Sequence, residues 1–225
     1  MKLSIIIPAF NEKATILKVL AIVRKQPVLG LEKELIIVDD GSTDGTRDLL
    51  KNAKGATVIF HEKNQGKGAA LRTGLRQATG DILLIQDADL EYDPKEYPEL
   101  LKPIIGGKAK VVYGSRFLHP HHARYQFYYL GNKFLSLLTS VLYGQKISDM
   151  ETCYKVFTRE VLEKLDLKAK RFDFEPEITA KIRKAGFSIL EVPITYKSRP
   201  FEEGKKITWR DGVKAAWHLV RFRFT

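Results

Sequence analysis

The chain has one cysteine, Cys153, in 225 residues. A lone thiol forms no intrachain disulfide, so the fold must hold without that framework, and the usage suits a reducing cytosol. Nothing around Cys153 in the sequence supports a nucleophile, and it reads as a small core residue. No run reaches the ~20 apolar residues that a membrane span needs. The N-terminal run Leu3 to Ile7 is too short for a signal peptide and reads as a strand. Two phosphate-binding signatures are also missing. Gly66-Lys67-Gly68 lacks the G-x-x-x-x-G-K-[ST] spacing, and no G-x-G-x-x-G follows the first strand, which disfavours a P-loop ATPase and an ordinary dehydrogenase. Acidic charge is scarce: 27 Asp and Glu stand against 38 Lys and Arg, a net +11. Such a surface attracts nucleic acid, anionic lipid or phosphorylated substrates. The sequence carries no RNA-binding sheet motif and no helix-turn-helix signature, so no nucleic-acid partner is expected. A basic nucleic-acid-binding module stays as the alternative of another class, betrayed by salt-sensitive binding with little sequence dependence.

What the chain does have is alternation. Leu3–Ile7, Glu34–Val38, Thr57–Phe60, Asp81–Gln86 and Ala109–Tyr113 read as strands. Between them, helices are expected to about Gln26 (Ile16, Leu17, Leu20 and Val23 on one face), after Thr46, from Gly66 to about Ala78, and over Pro94–Ile105. This pattern predicts an α/β fold, a mostly parallel sheet with helices on both faces. The second half departs from it. An apolar helix is expected over Tyr125–Tyr143, a strand over Cys153–Phe157, helices over Thr158–Leu165 and from Glu175 to about Ala185, and a strand or hairpin over Phe187–Tyr196. An amphipathic helix over Thr208–Phe224 ends the chain.

Polar residues gather where strands end: Pro8 with Glu12, Asp39-Asp40, Gly66-Lys67, and Asp87-Ala88-Asp89 followed by Glu91. Right-handed crossovers bring the carboxyl ends of parallel strands to one edge, where ligands collect. Two carboxylates at one strand end are costly unless something positive compensates them. Mg²⁺ or Mn²⁺, which take oxygen ligands and share them with substrate phosphates, would do so.

Taken together, Ser4 to Glu12, Val38 to Thr46, Asn64-Gln65-Gly66-Lys67-Gly68 and Asp87-Ala88-Asp89 resemble the family 2 glycosyltransferases, whose nucleotide-sugar fold is called GT-A. The closer resemblance is to the polyprenyl-phosphate sugar synthases, the dolichyl-phosphate mannose and glucose synthases among them. It continues through Gly114-Ser115-Arg116-Phe117, Asp149 to Lys155, Val192-Pro193-Ile194 and Arg199 to Lys206, and so covers nearly the whole chain. The family's usual Tyr in the first motif is Phe10 here, which removes a hydroxyl contact and leaves stacking. Many of that group append transmembrane helices, and none is expected here.

The resemblance implies a single GT-A domain over 1–225: a nucleotide-sugar half at 1–115, an acceptor half at 116–206 and a C-terminal amphipathic helix at 207–225. It implies that Pro8, Phe10, Glu12, Val38 and Asp40 hold the nucleoside. Lys67 and Ala88 join the nucleotide-sugar set. Asp87, Asp89 and Glu91 hold the metal, and Arg116, Arg199 and Lys205 handle phosphate groups. Asp89, Asp149 and Arg116 are the catalytic candidates. The implied reaction moves a sugar, with inversion, from a nucleotide-sugar of the GDP-mannose or UDP-glucose type to a polyprenyl phosphate. Asp149 has two readings. With a saccharide hydroxyl acceptor it is a general base; with a lipid phosphate it orients acceptor or sugar, or anchors the Arg116 loop. His119, His121 and His122 read as a polar loop. In the final helix, Trp209, Val213, Ala216, Trp217, Val220 and Phe224 make a stripe that serves packing on the domain or on a membrane equally well. The expected location is cytoplasmic, peripheral to the membrane, and oligomeric state is left open.

Overall fold

The computed structural model describes residues 1–118, 126–198 and 209–224. Seven strands form one sheet: β1 (Lys2–Ala9), β2 (Glu32–Asp39), β3 (Thr57–Phe60), β4 (Ile82–Ile85), β5 (Val111–Ser115), β6 (Lys155–Thr158) and β7 (Leu190–Pro193), in the order β3-β2-β1-β4-β6-β5-β7. The helices are α1 (Ile16–Lys25), α2 (Thr46–Lys51), α3 (Lys67–Gln77), α4 (Tyr97–Ile105), α5 (Gln126–Tyr143), α6 (Arg159–Glu163), α7 (Phe174–Lys184) and α8 (Trp209–Phe224). A short 3₁₀ turn, Pro94–Glu96, leads into α4, its entry capped by the Asp93 carboxylate on the Lys95 N–H.

Strand β1 shows why the sheet is covered twice. Leu3, Ile5 and Ile7 face one core and Ile6 the other. Strand β4 repeats the alternation, with Ile82 and Leu84 on the first side and Leu83 and Ile85 on the second. A period of two with apolar residues on both faces needs a helical layer on each side. Helices α1 and α4 close the first core; α3, α5, α7 and α8 close the second. Within α1 the buried residues are Ile16, Val19, Leu20 and Val23. Leu17, expected on that face, is exposed, because Val19 completes the i, i+3, i+4, i+7 stripe instead.

All strand pairs are parallel except those of β6, which runs antiparallel to both β4 and β5. The expected mostly parallel α/β sheet is therefore present, with one reversed strand inside it. The reversal has a consequence for the site. The segment entering β6, Asp149 to Tyr154, arrives at the edge where β1, β2, β4 and β5 end. That edge includes the point between β1 and β4 where the strand order reverses, the usual crevice for ligands in such sheets.

Candidate active site

The loops after β1 and β2 are stitched together. Asn11 takes a positive φ of 54°; its N–H donates to Ser42 Oγ at 2.9 Å, and its Oδ1 accepts the Thr43 N–H at 2.9 Å. The Glu12 N–H donates to Thr46 Oγ1 at 2.9 Å, and its carboxylate accepts Thr15 Oγ1 at 2.9 Å. Pro8 sits beside Val38 in the parallel register. Val38 is fully buried, while Pro8 and Phe10 are half-buried. Asp40 is turned inward. Its carboxylate accepts His61 Nδ1 at 2.7 Å, Asn64 Nδ2 at 2.9 Å and the N–H groups of Gln65 at 2.9 Å and Gly66 at 2.8 Å. It thereby fixes the glycine-rich entry to α3. Asp39 pairs with Arg47 and keeps one buried oxygen, Oδ1, without a partner.

Strand β4 delivers Asp87-Ala88-Asp89 into a braced turn. The buried Gln86 accepts the hydroxyls of Tyr97 at 2.7 Å and Tyr154 at 2.8 Å, and donates to the Asp87 carbonyl at 3.0 Å. Ala88 packs into the first core. Leu90 is left-handed at a φ of 64°, a conformation uncommon for a bulky residue and concentrated at functional turns. The first residue of α3, Lys67, reaches across to this turn. Its Nζ lies 2.9 Å from Asp87 Oδ1, 3.0 Å from Cys153 Sγ and 3.5 Å from Glu175 Oε1. Burial alone would lower the Lys67 pKa, but Asp87, Cys153 and Glu175 outweigh it and the net shift is upward. Lys67 is thus a cation and compensates Asp87.

A second cation stands nearby. Arg116 leaves the end of β5 and pairs with Asp149 at two points, Nε to Oδ2 at 2.7 Å and Nη2 to Oδ1 at 2.7 Å. The Arg116 backbone N–H adds a third bond to Oδ2 at 2.9 Å. Asp149 is fully buried. The Glu191 carboxylate on β7 holds the loop from below, accepting the N–H groups of Ser148 at 2.8 Å and Asp149 at 3.0 Å. Burial opposes the charge on Arg116, and Asp149 more than restores it. The guanidinium lies 5.1 Å from the Tyr196 ring centre. Tyr196 packs on Tyr92 at 5.2 Å and donates to Glu91 at 2.7 Å. Tyr92 accepts the Cys153 N–H at 3.1 Å. Arg116, Tyr196, Tyr92, Cys153, Lys67 and Asp87 therefore form one connected wall.

Among the described residues, no group of three or more His, Cys, Asp or Glu side chains is arranged to hold a metal ion. The expected trio of Asp87, Asp89 and Glu91 is not gathered as a cage: Asp87 faces Lys67, Glu91 faces Tyr196, and Asp89 Oδ1 accepts the Glu91 N–H at 3.1 Å. Arg199, Lys205, His119, His121 and His122 lie outside the described residues.

The sequence model described as Glycosyl transferase family 2 matches residues 4–166. This chain belongs to that family. Among curated proteins, it is 31% identical over 246 residues to the UDP-N-acetylglucosamine–dolichyl-phosphate N-acetylglucosaminyltransferase of Methanococcus voltae, covering 97% of this chain and 95% of the relative. It is 29% identical to the low-salt glycan biosynthesis hexosyltransferase Agl6 of Haloferax volcanii, covering 98% of this chain but only 52% of that protein. The glucosyl-3-phosphoglycerate synthase of Mycobacterium tuberculosis, crystallised with Mn²⁺, UDP and phosphoglyceric acid, superposes with a TM-score of 0.76 at 24% identity, over 99% of this chain and 78% of that one. That likeness shows the GT-A fold.

In this glycosyltransferase, three residues join the site that sequence reasoning did not select. Cys153 is no mere filler, because it contacts Lys67. Glu175, at the start of α7, comes within 3.5 Å of the same ammonium and retains a buried oxygen, Oε2, without a partner. Glu151 also has a buried unpartnered oxygen, Oε1; burial first, then Glu175, pushes its carboxyl up to about 8. The one local signal was the acid-rich opening of α7, Glu175-Pro176-Glu177, which also reads as an ordinary helix start.

Proposed function

We propose that this chain transfers one sugar from a nucleotide-sugar to a polyprenyl (dolichyl-type) phosphate, with inversion and with a divalent cation, at the cytoplasmic face of a membrane. One observation carries the acceptor reading: a half-buried Arg116, aimed by Asp149, stands one aromatic ring away from Glu91, at the end of the Asp87–Glu91 turn. A fixed guanidinium beside a donor-diphosphate turn is the arrangement a second phosphate group needs. The name of the M. voltae relative supports the acceptor class. The Mn²⁺ and UDP bound by the M. tuberculosis synthase support a metal-assisted nucleotide donor.

In this reading the acceptor phosphate oxygen attacks the anomeric carbon. The bond from that carbon to the donor diphosphate breaks, and the nucleoside diphosphate leaves with the electron pair. A lipid monophosphate, with a second pKa of about 6, is already an oxyanion near neutrality and needs no base. Asp149 fits that chemistry. Both of its oxygens engage Arg116, so it serves to orient a cation. In the saccharide-hydroxyl alternative, a proton taken by Asp149 would neutralise the partner of Arg116 and weaken that pair.

Pro8, Phe10 and Glu12 would line the nucleoside side, with Val38 behind Pro8. Asp40 would shape it by holding the 61–66 loop. Arg199 and Lys205 would meet the phosphates. Asp87 and Asp89 offer hard carboxylate oxygens, and a donor diphosphate would complete the set that Mg²⁺ or Mn²⁺ takes, so the residues fit the ion. When bound, such an ion neutralises charge on the leaving diphosphate.

The test is a panel of radiolabelled UDP-N-acetylglucosamine, UDP-glucose and GDP-mannose, with and without polyprenyl phosphate, followed by organic extraction. Acceptor-dependent label in the organic phase is expected with one donor. Its absence with every donor overturns the lipid-phosphate reading.

A further inference from the structure

The carboxylate of Glu175 is buried and only half used. Its Oε1 lies 3.5 Å from the Lys67 ammonium, while its Oε2 has no hydrogen-bond partner among the described residues. An unbonded carboxylate oxygen in the interior is unfavourable and calls for an explanation. Lys155, another buried ammonium near it, donates instead to the carbonyls of Met150 and Thr152. Cys153 does not fill the gap with charge either: burial pushes its thiol up, so it stays neutral. Yet the place of Glu175 is fixed by backbone. At the entry to α3, the Gly68 N–H donates to the Arg171 carbonyl at 3.2 Å and the Ala69 N–H to the Lys170 carbonyl at 2.9 Å. A Cβ on Gly68 would stand 2.9 Å from the carbonyl oxygens of Ala169 and Arg171, so the approach is as close as a glycine allows. The same segment runs straight into α7 at Phe174. Lys67 and Glu175 are therefore held side by side by their own main chains.

Lys67 meanwhile stands where an ion would bind. Its Nζ touches both Asp87 oxygens, Oδ1 at 2.9 Å and Oδ2 at 3.2 Å. A divalent ion taken up by Asp87 would face that ammonium at contact distance, with twice the repulsion of two unit charges. The ammonium has to move, and its flexible four-carbon stem lets it. Glu175 is already within ion-pair reach, with an oxygen to spare. We propose that Glu175 is a positioning residue that receives the Lys67 ammonium when a divalent ion occupies Asp87. The exchange leaves no carboxylate uncompensated: Lys67 serves Asp87 before the ion arrives and Glu175 afterwards. Lys67 then competes with the ion for Asp87, which keeps ion binding reversible. This inference rests on the proposed ion at Asp87 and is independent of the acceptor.

The experiment titrates Mn²⁺ into the full chain, alone and with UDP or GDP, and reads unbound Mn²⁺ from its electron paramagnetic resonance spectrum against nucleotide-only controls. Glu175→Gln keeps the shape and removes the charge. It should weaken Mn²⁺ binding about tenfold or more, because Lys67 is left with Asp87 as its carboxylate partner. Removing Lys67 as well should cancel the defect: the double variant, Lys67→Met with Glu175→Gln, is expected to bind Mn²⁺ at least as tightly as wild type. A Glu175→Gln variant within about twofold of wild type overturns the proposal. So does a defect that persists in the double variant, the mark of a purely structural role. A crystal structure of the wild type with Mn²⁺ and nucleotide needs no variant to fold. In it, Lys67 Nζ should have left Asp87 for hydrogen-bond reach of Glu175 Oε2. Lys67 still on both Asp87 oxygens beside the ion, or moved onto the diphosphate, overturns the proposal. Wild-type protein that binds no Mn²⁺ with either nucleotide overturns the ion reading itself, and the exchange with it.

Discussion

Asp149 gives both carboxylate oxygens to one partner, Arg116, and takes the Arg116 backbone N–H as well. A carboxylate so placed orients a cation, and the two residues should act as a unit. Asp149→Asn and Arg116→Ala are each expected to lower transfer about 10²–10³-fold. The double variant should be little worse than either single one. Breaking the buried pair should also cost about 3–5 kcal/mol of stability. Steady-state kinetics with denaturant titration checks both. Two independent, multiplying losses of activity would return Asp149 to the role of a base.

Lys67 is the resident counter-charge of Asp87 and Glu175. Lys67→Met leaves both acids uncompensated and should destabilise the fold by about 3–5 kcal/mol. An ion that binds the native state stabilises it. Millimolar Mg²⁺ or Mn²⁺ is therefore expected to raise the melting temperature of the variant more than that of wild type. Equal responses in a thermal shift assay would contradict this.

Chelation should abolish transfer without unfolding the chain. Asp89→Ala should mimic it, with a loss of about 10²-fold or more, and added Mn²⁺ should rescue the chelated wild type but not the variant. Circular dichroism alongside the radiolabel assay separates loss of function from loss of fold.

Glu151 predicts a pH dependence with a definite sign. Its folded-state pKa of about 8 lies above the ordinary 4.5. The native chain then holds a proton that the unfolded chain releases between those values. Its contribution is fully present below pH 4.5 and is lost as pH rises through 8. Glu151→Gln cannot ionise. It should flatten that part of the profile and exceed wild-type stability at pH 8 by about 4 kcal/mol. Urea midpoints from pH 5 to 8 make the comparison.

Gly66 has a φ of 101°, and a Cβ there would collide with the Lys170 carbonyl and the Arg171 side chain. Gly66→Ala should cost roughly 2 kcal/mol or more. It should also weaken donor binding, because Gly66 carries one of the N–H groups that Asp40 holds. A lower urea midpoint at constant slope, with a raised donor KM, is the expected pair of results.

The first four strands were legible because each is an apolar run that ends abruptly in polar residues, as Ile82–Ile85 does before Gln86-Asp87. The reversed direction of β6 was not, since local pattern carries no strand polarity. The Lys67–Cys153–Glu175 cluster escaped for a similar reason. Its members lie 86 and 108 positions from Lys67 in sequence and meet only through the sheet. On α8, hydrophobicity marked Trp217 and Val220, yet the domain buries Ala215 and Leu219. An apolar stripe in the sequence does not say which of two neighbouring helix faces the domain covers.

The reversed strand also sets an order on folding. Strand β5 does not pair with β4; it is joined to β4 and the strands beyond it only through β6. Until residues 155–158 leave the ribosome, β4 remains an open edge of four consecutive apolar residues. The nascent chain must therefore carry an aggregation-prone edge through roughly seventy further residues of synthesis, several seconds at ribosomal speed. A polypeptide cut before β6 should precipitate rather than fold as a half-domain.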